Sequence, residues 1–240
     1  MAGTDKGKKN NENGLANIAF NIIIPVLLLT KSDDWFGLSP TWSLILALMF
    51  PVCYGVYYLI ISKKYNFFSI LGVISILLTG GIGLLKLPKE WVAIKEAAVP
   101  LAFGIAVLIS LRTKYPLVRM FFYNKQIIQV DKVDDALQEN GKRTEFNKLL
   151  KECTYLLAAS FLLSAVLNYT LAKIIIKSET GTQAFTEELG KLTGWSFPMI
   201  ALPCTLVMVF GLWKLIKGVE SLTGLDFDSI FKAPEKKSKA

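Results

Sequence analysis

Lys86, Lys89, Glu90, Lys95 and Glu96 fall within the stretch TGGIGLLKLPKEWVAIKEAAVPLAFG, between a glycine-rich apolar run and a second apolar run. Ammonium and carboxylate groups so placed have two uses. They can anchor a helix end at a wet interface, or they can line the mouth of a water-filled cavity that receives a charged group. Glu96 lies deepest in the apolar run and is the hardest to read as an anchor. Its expected partner is Lys95 or, from a neighbouring helix, Lys173. Glu90 and Lys95 complete the candidate set here. Other polar side chains recur at helical spacing inside apolar runs: Asn17 and Asn21, then Ser160, Ser164 and Asn168. Residues four apart share a helix face. These stripes either pack helices through interhelical hydrogen bonds or face a polar cavity between the first, fourth and fifth helices.

The elements holding these residues follow from composition. The chain has 240 residues, 52% of them hydrophobic, and a mean hydropathy of +0.44, too apolar for a domain that must show water a polar surface. Apolar runs at residues 15–30, 40–61, 67–85, 92–111, 154–176 and 195–216 approach the ~20 residues that cross a hydrocarbon core about 30 Å thick. The expected fold is therefore all-α, a polytopic transmembrane helical bundle of about six spans. The first run is the shortest, and a re-entrant or interfacial first segment with five spans is the alternative. The expected divisions are a polar N-terminus at 1–14, helices at 15–111, an amphipathic loop at 112–153, two more helices at 154–217 and a basic tail at 218–240.

Charge sets the expected orientation. With six spans and both termini cytoplasmic, 20 of the 27 Lys and Arg residues fall on the cytoplasmic side, as the positive-inside bias requires. The net charge of +8 is then a matter of topology. Its scatter over several edges, with no single basic module, argues against nucleic acid. In the loop, YPLVRMFFYNKQIIQV mixes aromatic, aliphatic and basic residues, which predicts a segment lying on an anionic leaflet. The polar part after it breaks near Gly141 and restarts as a helix around Thr144.

In the opening stretch, Pro88 suits a helix's first turn and Glu90 its positive dipole end. A helix over 88–111 is about 36 Å long, so its first turn reaches the interface, where Trp91 joins an aromatic belt. Ser75, Thr79 and Gly83 form a ridge of small residues that lets a neighbouring helix approach closely.

The same residues carry a family resemblance. The glycine pair Gly80 and Gly81, the Glu90, Trp91 and Lys95 segment, and Lys114, Pro116, Leu117, Arg119 and Met120 resemble motifs of the bacterial intracellular septation protein A family, also called the inner-membrane-spanning protein YciB family. The similarity covers about residues 79–121. It implies a multi-pass protein of the bacterial inner membrane with both termini cytoplasmic, acting in cell-envelope and septum maintenance. The implied partners are membrane lipids and other envelope or division proteins of the membrane, with homo-oligomerisation left open. This chain is longer than the family norm, and its 112–153 loop is expanded. The alternative reading is a small transporter or lipid-handling protein.

Several chemistries have little to build on. The chain has no histidine and three scattered cysteines, so a His- or Cys-based metal site and a covalent cofactor are not expected. There is no P-loop, no nucleophile elbow and no carboxylate pair at depth. The expected protein is not an enzyme and carries no cofactor.

Overall fold

A computed structural model describes residues 18–62, 67–113, 117–123 and 128–231, with the side chains of 58–73, 76 and 120 outside that set. Asn17, Lys114 and Pro116 of the expected site and motif, and the side chain of Met120, lie outside the described residues. The described residues are helical throughout apart from turns and one isolated bridge, Ile128 to Phe231. The helices are α1 (Ile24–Phe36, entered by a π turn at Ala19–Ile23), α2 (Pro40–Ser62), α3 (Phe67–Leu84), α4 (Glu90–Ser110) and α5 (Leu117–Phe121). They continue as α6 (Val130–Glu139), α7 (Arg143–Ile175), α8 (Gln183–Ser196), α9 (Leu202–Thr223) and α10 (Phe227–Ile230).

Among the described residues, four helical stretches are long and apolar enough to cross a membrane: Pro40–Tyr57, Glu90–Ser110, Arg143–Ile175 and Gln183–Thr223. Between 22% and 28% of each apolar window is buried. The remaining side chains, Ile105, Ile109, Val166, Leu206 and Val209 among them, point outward and need an apolar solvent. The protein is an all-α membrane protein.

Among the described residues the candidate spans number four, where the sequence pointed to about six; α3, whose first side chains lie outside the described set, is not among them. The first run does not qualify because the described helix over 18–36, its π turn included, carries Lys31, Asp33 and Asp34 in its last two turns, too many charges for a stretch of that length to cross hydrocarbon. The last run is longer than expected. Its helix begins at Gln183 and passes through a π turn at Phe197–Ala201. Pro198 and Pro203 each remove a backbone donor there, and a widened turn accommodates such a loss.

The chain divides into two compact units, Met1–Lys95 with Thr170–Ser196, and Glu96–Tyr169 with Phe197–Ala240. In the first unit, α1, α2 and α8 pack on one another and α3 packs on α2. Leu44 lies beside Gly83 and Leu48 beside Gly80, so α2 and α3 run in opposite senses. Any side chain at Gly80 would meet Leu48 Cδ1 at 2.7 Å, which explains one glycine of the pair as a close approach. Gly81 has open space where a Cβ would stand. The core joins Leu29, Leu44, Ala47, Ile82, Val92, Ala93, Ala172, Ile176, Phe185, Leu189 and Leu192.

The second unit centres on Phe122, Tyr123, Ile128, Val133, Leu137, Phe146, Leu150, Leu157, Leu215, Val219 and Ile230. Val118 is fully buried, Phe122 and Tyr123 are each 5% exposed, and Phe121 packs at the edge. The described part of the segment expected to lie on a leaflet is thus turned into a protein core. Its apolar side chains are already covered by α7 and α9, leaving little to insert into lipid. The break at Gly141 is observed, with φ of +66°, and α7 restarts at Arg143.

Candidate functional site

Two turns of the first unit build a cleft. Leu85 to Lys89 connect α3 to α4, and Ile176 to Thr182 connect α7 to α8. The second turn is fixed by Glu188 on α8. Its Oε2 accepts the backbone N–H of Lys177 at 2.8 Å and of Ser178 at 2.9 Å, and its Oε1 accepts the Ser178 hydroxyl at 2.9 Å. Thr180 Oγ1 donates to the Leu87 carbonyl at 2.9 Å and so ties the turns together. Gly181, with φ of +85°, sits where a Cβ would stand 3.0 Å from the Lys86 stem, so both its backbone and its neighbours favour glycine.

The cleft between these turns has a volume of 370 Å³ and is lined by Lys89, Glu90, Ala93, Ala172, Lys173, Ile176 and Lys177. Ala93, Ala172 and Ile176 are buried and form an apolar floor. The rim is three ammonium groups and one carboxylate. Lys89 is already engaged. Its Nζ donates to Glu179 Oε1 at 3.0 Å and to the Lys177 carbonyl, and the hydrogen bond to Glu179 holds this ammonium above its ordinary pKa range. Lys173 lies in the last turn of α7 and Lys177 in the turn that follows it, and both are exposed and line the cleft. Two ammonium groups lining one recess repel one another, which makes an anion between them favourable.

Of the residues predicted from sequence, Glu90 and Lys173 meet in this cleft. Glu96 is half-buried, is not among the cleft's lining residues and belongs to the second unit. Lys95 turns elsewhere, donating to Thr79 Oγ1 at 2.8 Å and to Ser75 Oγ at 3.3 Å. The small-residue ridge of α3 therefore also receives an ammonium from within the bundle. Asn21 is in the first unit, whereas Ser164 and Asn168 are in the second. Asn168 Nδ2 donates to the Ser164 carbonyl at 2.8 Å and to its Oγ at 3.2 Å, and Ser160 Oγ donates to the Cys204 carbonyl at 3.0 Å. This stripe is satisfied inside the fold.

The family-motif residues divide by role. Trp91 is 52% exposed beside the cleft, Leu117 packs at the edge of the second core, and Arg119 holds its Nε inside with no hydrogen-bond partner among the described residues.

Sequence reading missed Lys89 and Lys177 as site residues. The spacing of Lys173 and Lys177 was visible in AKIIIKSE, but the turn that brings them to Lys89 is fixed by Glu188 from a helix that was not foreseen. Among the described residues no three His, Cys, Asp or Glu side chains gather to hold a metal ion.

The fold and the cleft together define a polytopic α-helical membrane protein with a charged recess at one end of a helical unit. Comparison with protein-family models, with curated proteins and with solved structures finds no match to this chain.

Proposed function

We propose that this is a non-enzymatic multi-pass protein of the bacterial inner membrane that holds the phosphate of a lipid headgroup in the Lys89, Lys173 and Lys177 cleft, and that it serves envelope maintenance through that contact and through membrane partners. The observation carrying the reading is the cleft itself: an apolar floor under three lysines, of which Lys89 is ion-paired with Glu179 while the ammonium groups of Lys173 and Lys177 take part in none of the ion pairs described. Trp91, exposed on the first turn of α4 next to Glu90, supports a position at headgroup depth, where aromatic belts lie. Trp42, also exposed, is near the start of α2. Because α2 runs against α3, it belongs to the same end of the unit. The transporter reading asks for polar stripes open to a cavity, and the Ser164 and Asn168 pairing argues against that use of the second unit.

The test is lipid retention. The purified protein, transferred from nanodiscs of mixed phosphatidylethanolamine and phosphatidylglycerol and examined by native mass spectrometry, should keep bound phospholipid. Each lysine near an anionic group is worth about 1 kcal/mol. Reversing both, as Lys173→Glu with Lys177→Glu, should lower retention at least about tenfold. Equal retention by the double variant would remove the cleft as the headgroup site.

A further inference from the structure

We propose that the cleft selects a phosphodiester that also carries a primary amine, which in a membrane is the headgroup of an aminophospholipid such as phosphatidylethanolamine. The inference rests on the headgroup reading above and deepens it. The observation behind it is Glu90. A recess built only to hold phosphate has no use for a carboxylate on its rim, because that charge repels the anion the lysines attract.

The charges can be followed one by one. Lys89 is neutralised by Glu179 at 3.0 Å. Lys173, Lys177 and Glu90 remain facing the cleft, two positive groups against one negative. A phosphate between the lysines, with an ammonium held against Glu90, leaves every charged group opposite its complement. A phosphatidylglycerol headgroup would satisfy the lysines and leave Glu90 facing an anion. A neutral glycolipid would leave all three uncompensated. The volume of 370 Å³ is at the low end of the roughly 300–1,000 Å³ typical of ligand recesses, so it suits a headgroup and not a whole lipid. The floor of Ala93, Ala172 and Ile176 offers the glycerol stem an apolar surface. Exposed Trp91 on the adjoining turn argues for a membrane source over a soluble one.

The experiment measures selectivity as well as retention. Wild-type protein and the Glu90→Gln and Lys173→Ala/Lys177→Ala variants are loaded in nanodiscs containing equal dioleoyl phosphatidylethanolamine and dioleoyl phosphatidylglycerol, and bound lipids are identified by native mass spectrometry. Soluble glycerophosphoethanolamine is tested as a competitor. The wild type should retain the ethanolamine lipid about three- to fivefold over the glycerol lipid, the scale expected of one partly exposed charge pair. Glu90→Gln should bring that ratio to about one by lowering retention of the ethanolamine lipid, and the double alanine variant should lower both lipids together. Equal retention of both lipids by the wild type, or an unchanged preference in Glu90→Gln, overturns the selectivity. Loss of lipid in no variant, or binding of none by the wild type, overturns the headgroup reading itself. Displacement by the soluble competitor at concentrations matching the lipid assigns the amino-phosphodiester to a soluble source and overturns the lipid.

Discussion

Lys173, Lys177 and Glu90 stand open around a recess in the first unit, whereas several polar side chains of the second unit close onto neighbours within the fold. Asn168 folds back on Ser164, and Ser160 bonds the Cys204 carbonyl. Tyr123 Oη donates to Asp134 Oδ1 at 3.1 Å, and Arg143 reaches the same oxygen at 2.5 Å. Asn140 donates to the carbonyls of Leu222 and Thr223, both at 3.2 Å, and so satisfies the end of α9. A buried polar group with its partner in place fixes one arrangement of helices. An open set of charges on an apolar floor fixes nothing internal, and its complement has to come from outside the unit. The contrast separates residues that hold this protein together from those available to bind.

The largest way to break the contrast is to remove the second unit's centre. Phe146 is fully buried, with its ring centroid 5.0 Å from that of Tyr123. Phe146→Ala should cost about 3–5 kcal/mol through lost burial and a cavity, read as a lower midpoint in thermal unfolding in detergent. The fraction that stays folded should retain lipid as the wild type does. A selective loss of lipid from folded protein would mean that the two units do not divide structure from binding as described.

In the first unit the comparable weak point is a close approach and not an aromatic core. A Cβ at Gly190 would sit 2.7 Å from Thr30 Cγ2 and 3.0 Å from Leu29 Cβ, with the Val26 carbonyl at 3.4 Å. Gly190→Val should force α8 from α1 at a cost of about 1–3 kcal/mol. Because α8 also supplies Glu188, which sets the turn carrying Lys177, this variant should lose lipid along with stability. Unchanged unfolding would show that α1 and α8 can slide apart without strain.

How much of this was legible depended on whether a signal was local. The helical class followed from hydropathy, and the Gly141 break and the restart near Thr144 followed from turn chemistry and polarity. Helix α8 was missed because its apolar set, Phe185, Leu189 and Leu192, is short and diluted by Glu187, Glu188 and Lys191, so the segment read as a loop. That set has helical spacing and was visible in FTEELGKL. The leaflet assignment of Val118, Phe121 and Phe122 failed for a different reason. An aromatic and basic segment has the same composition whether its apolar side meets lipid or protein, and only the covering by Phe146, Leu157 and Leu215 decides between them. For the site, Glu90 and Lys173 were named, but their meeting depends on a turn held by side chains from three separate parts of the chain.

A smaller effect comes from the Tyr123 network. Burial pushes the Tyr123 hydroxyl above its ordinary value of 10.0, and the nearby Asp134 carboxylate raises it further against the opposing charges of Arg143 and Arg119. The unfolded chain therefore gives up this proton first, and the stabilising contribution, complete below pH 10, is lost as pH rises beyond it. Tyr123→Phe should cost about 1 kcal/mol at neutral pH through the lost hydrogen bond and should flatten the alkaline decline relative to the wild type. Parallel declines in the two proteins would place the alkaline sensitivity in other groups.

The smallest expected effect is also the most direct reversal of what the sequence suggests. By depth in the apolar run, Glu96 is the carboxylate expected to face a cavity and Glu90 the one expected to anchor. In the structure Glu90 lines the cleft, and Glu96, six residues further along the same helix, lies in the other unit. Successive positions on an α-helix turn by about 100°, so a six-residue step carries Glu96 well away from the face that Glu90 presents. Removing its charge should therefore not reach the lysines of the recess. Glu96→Gln is expected to leave both total lipid retention and the ethanolamine-to-glycerol ratio within about twofold of the wild type, a difference under about 0.5 kcal/mol. Glu90→Gln, at equal expression and equal folded fraction, should abolish the ratio. If Glu96→Gln instead abolishes selectivity while Glu90→Gln preserves it, depth in the apolar run was the better guide, and the open charges at the end of the first unit serve only to anchor the helix.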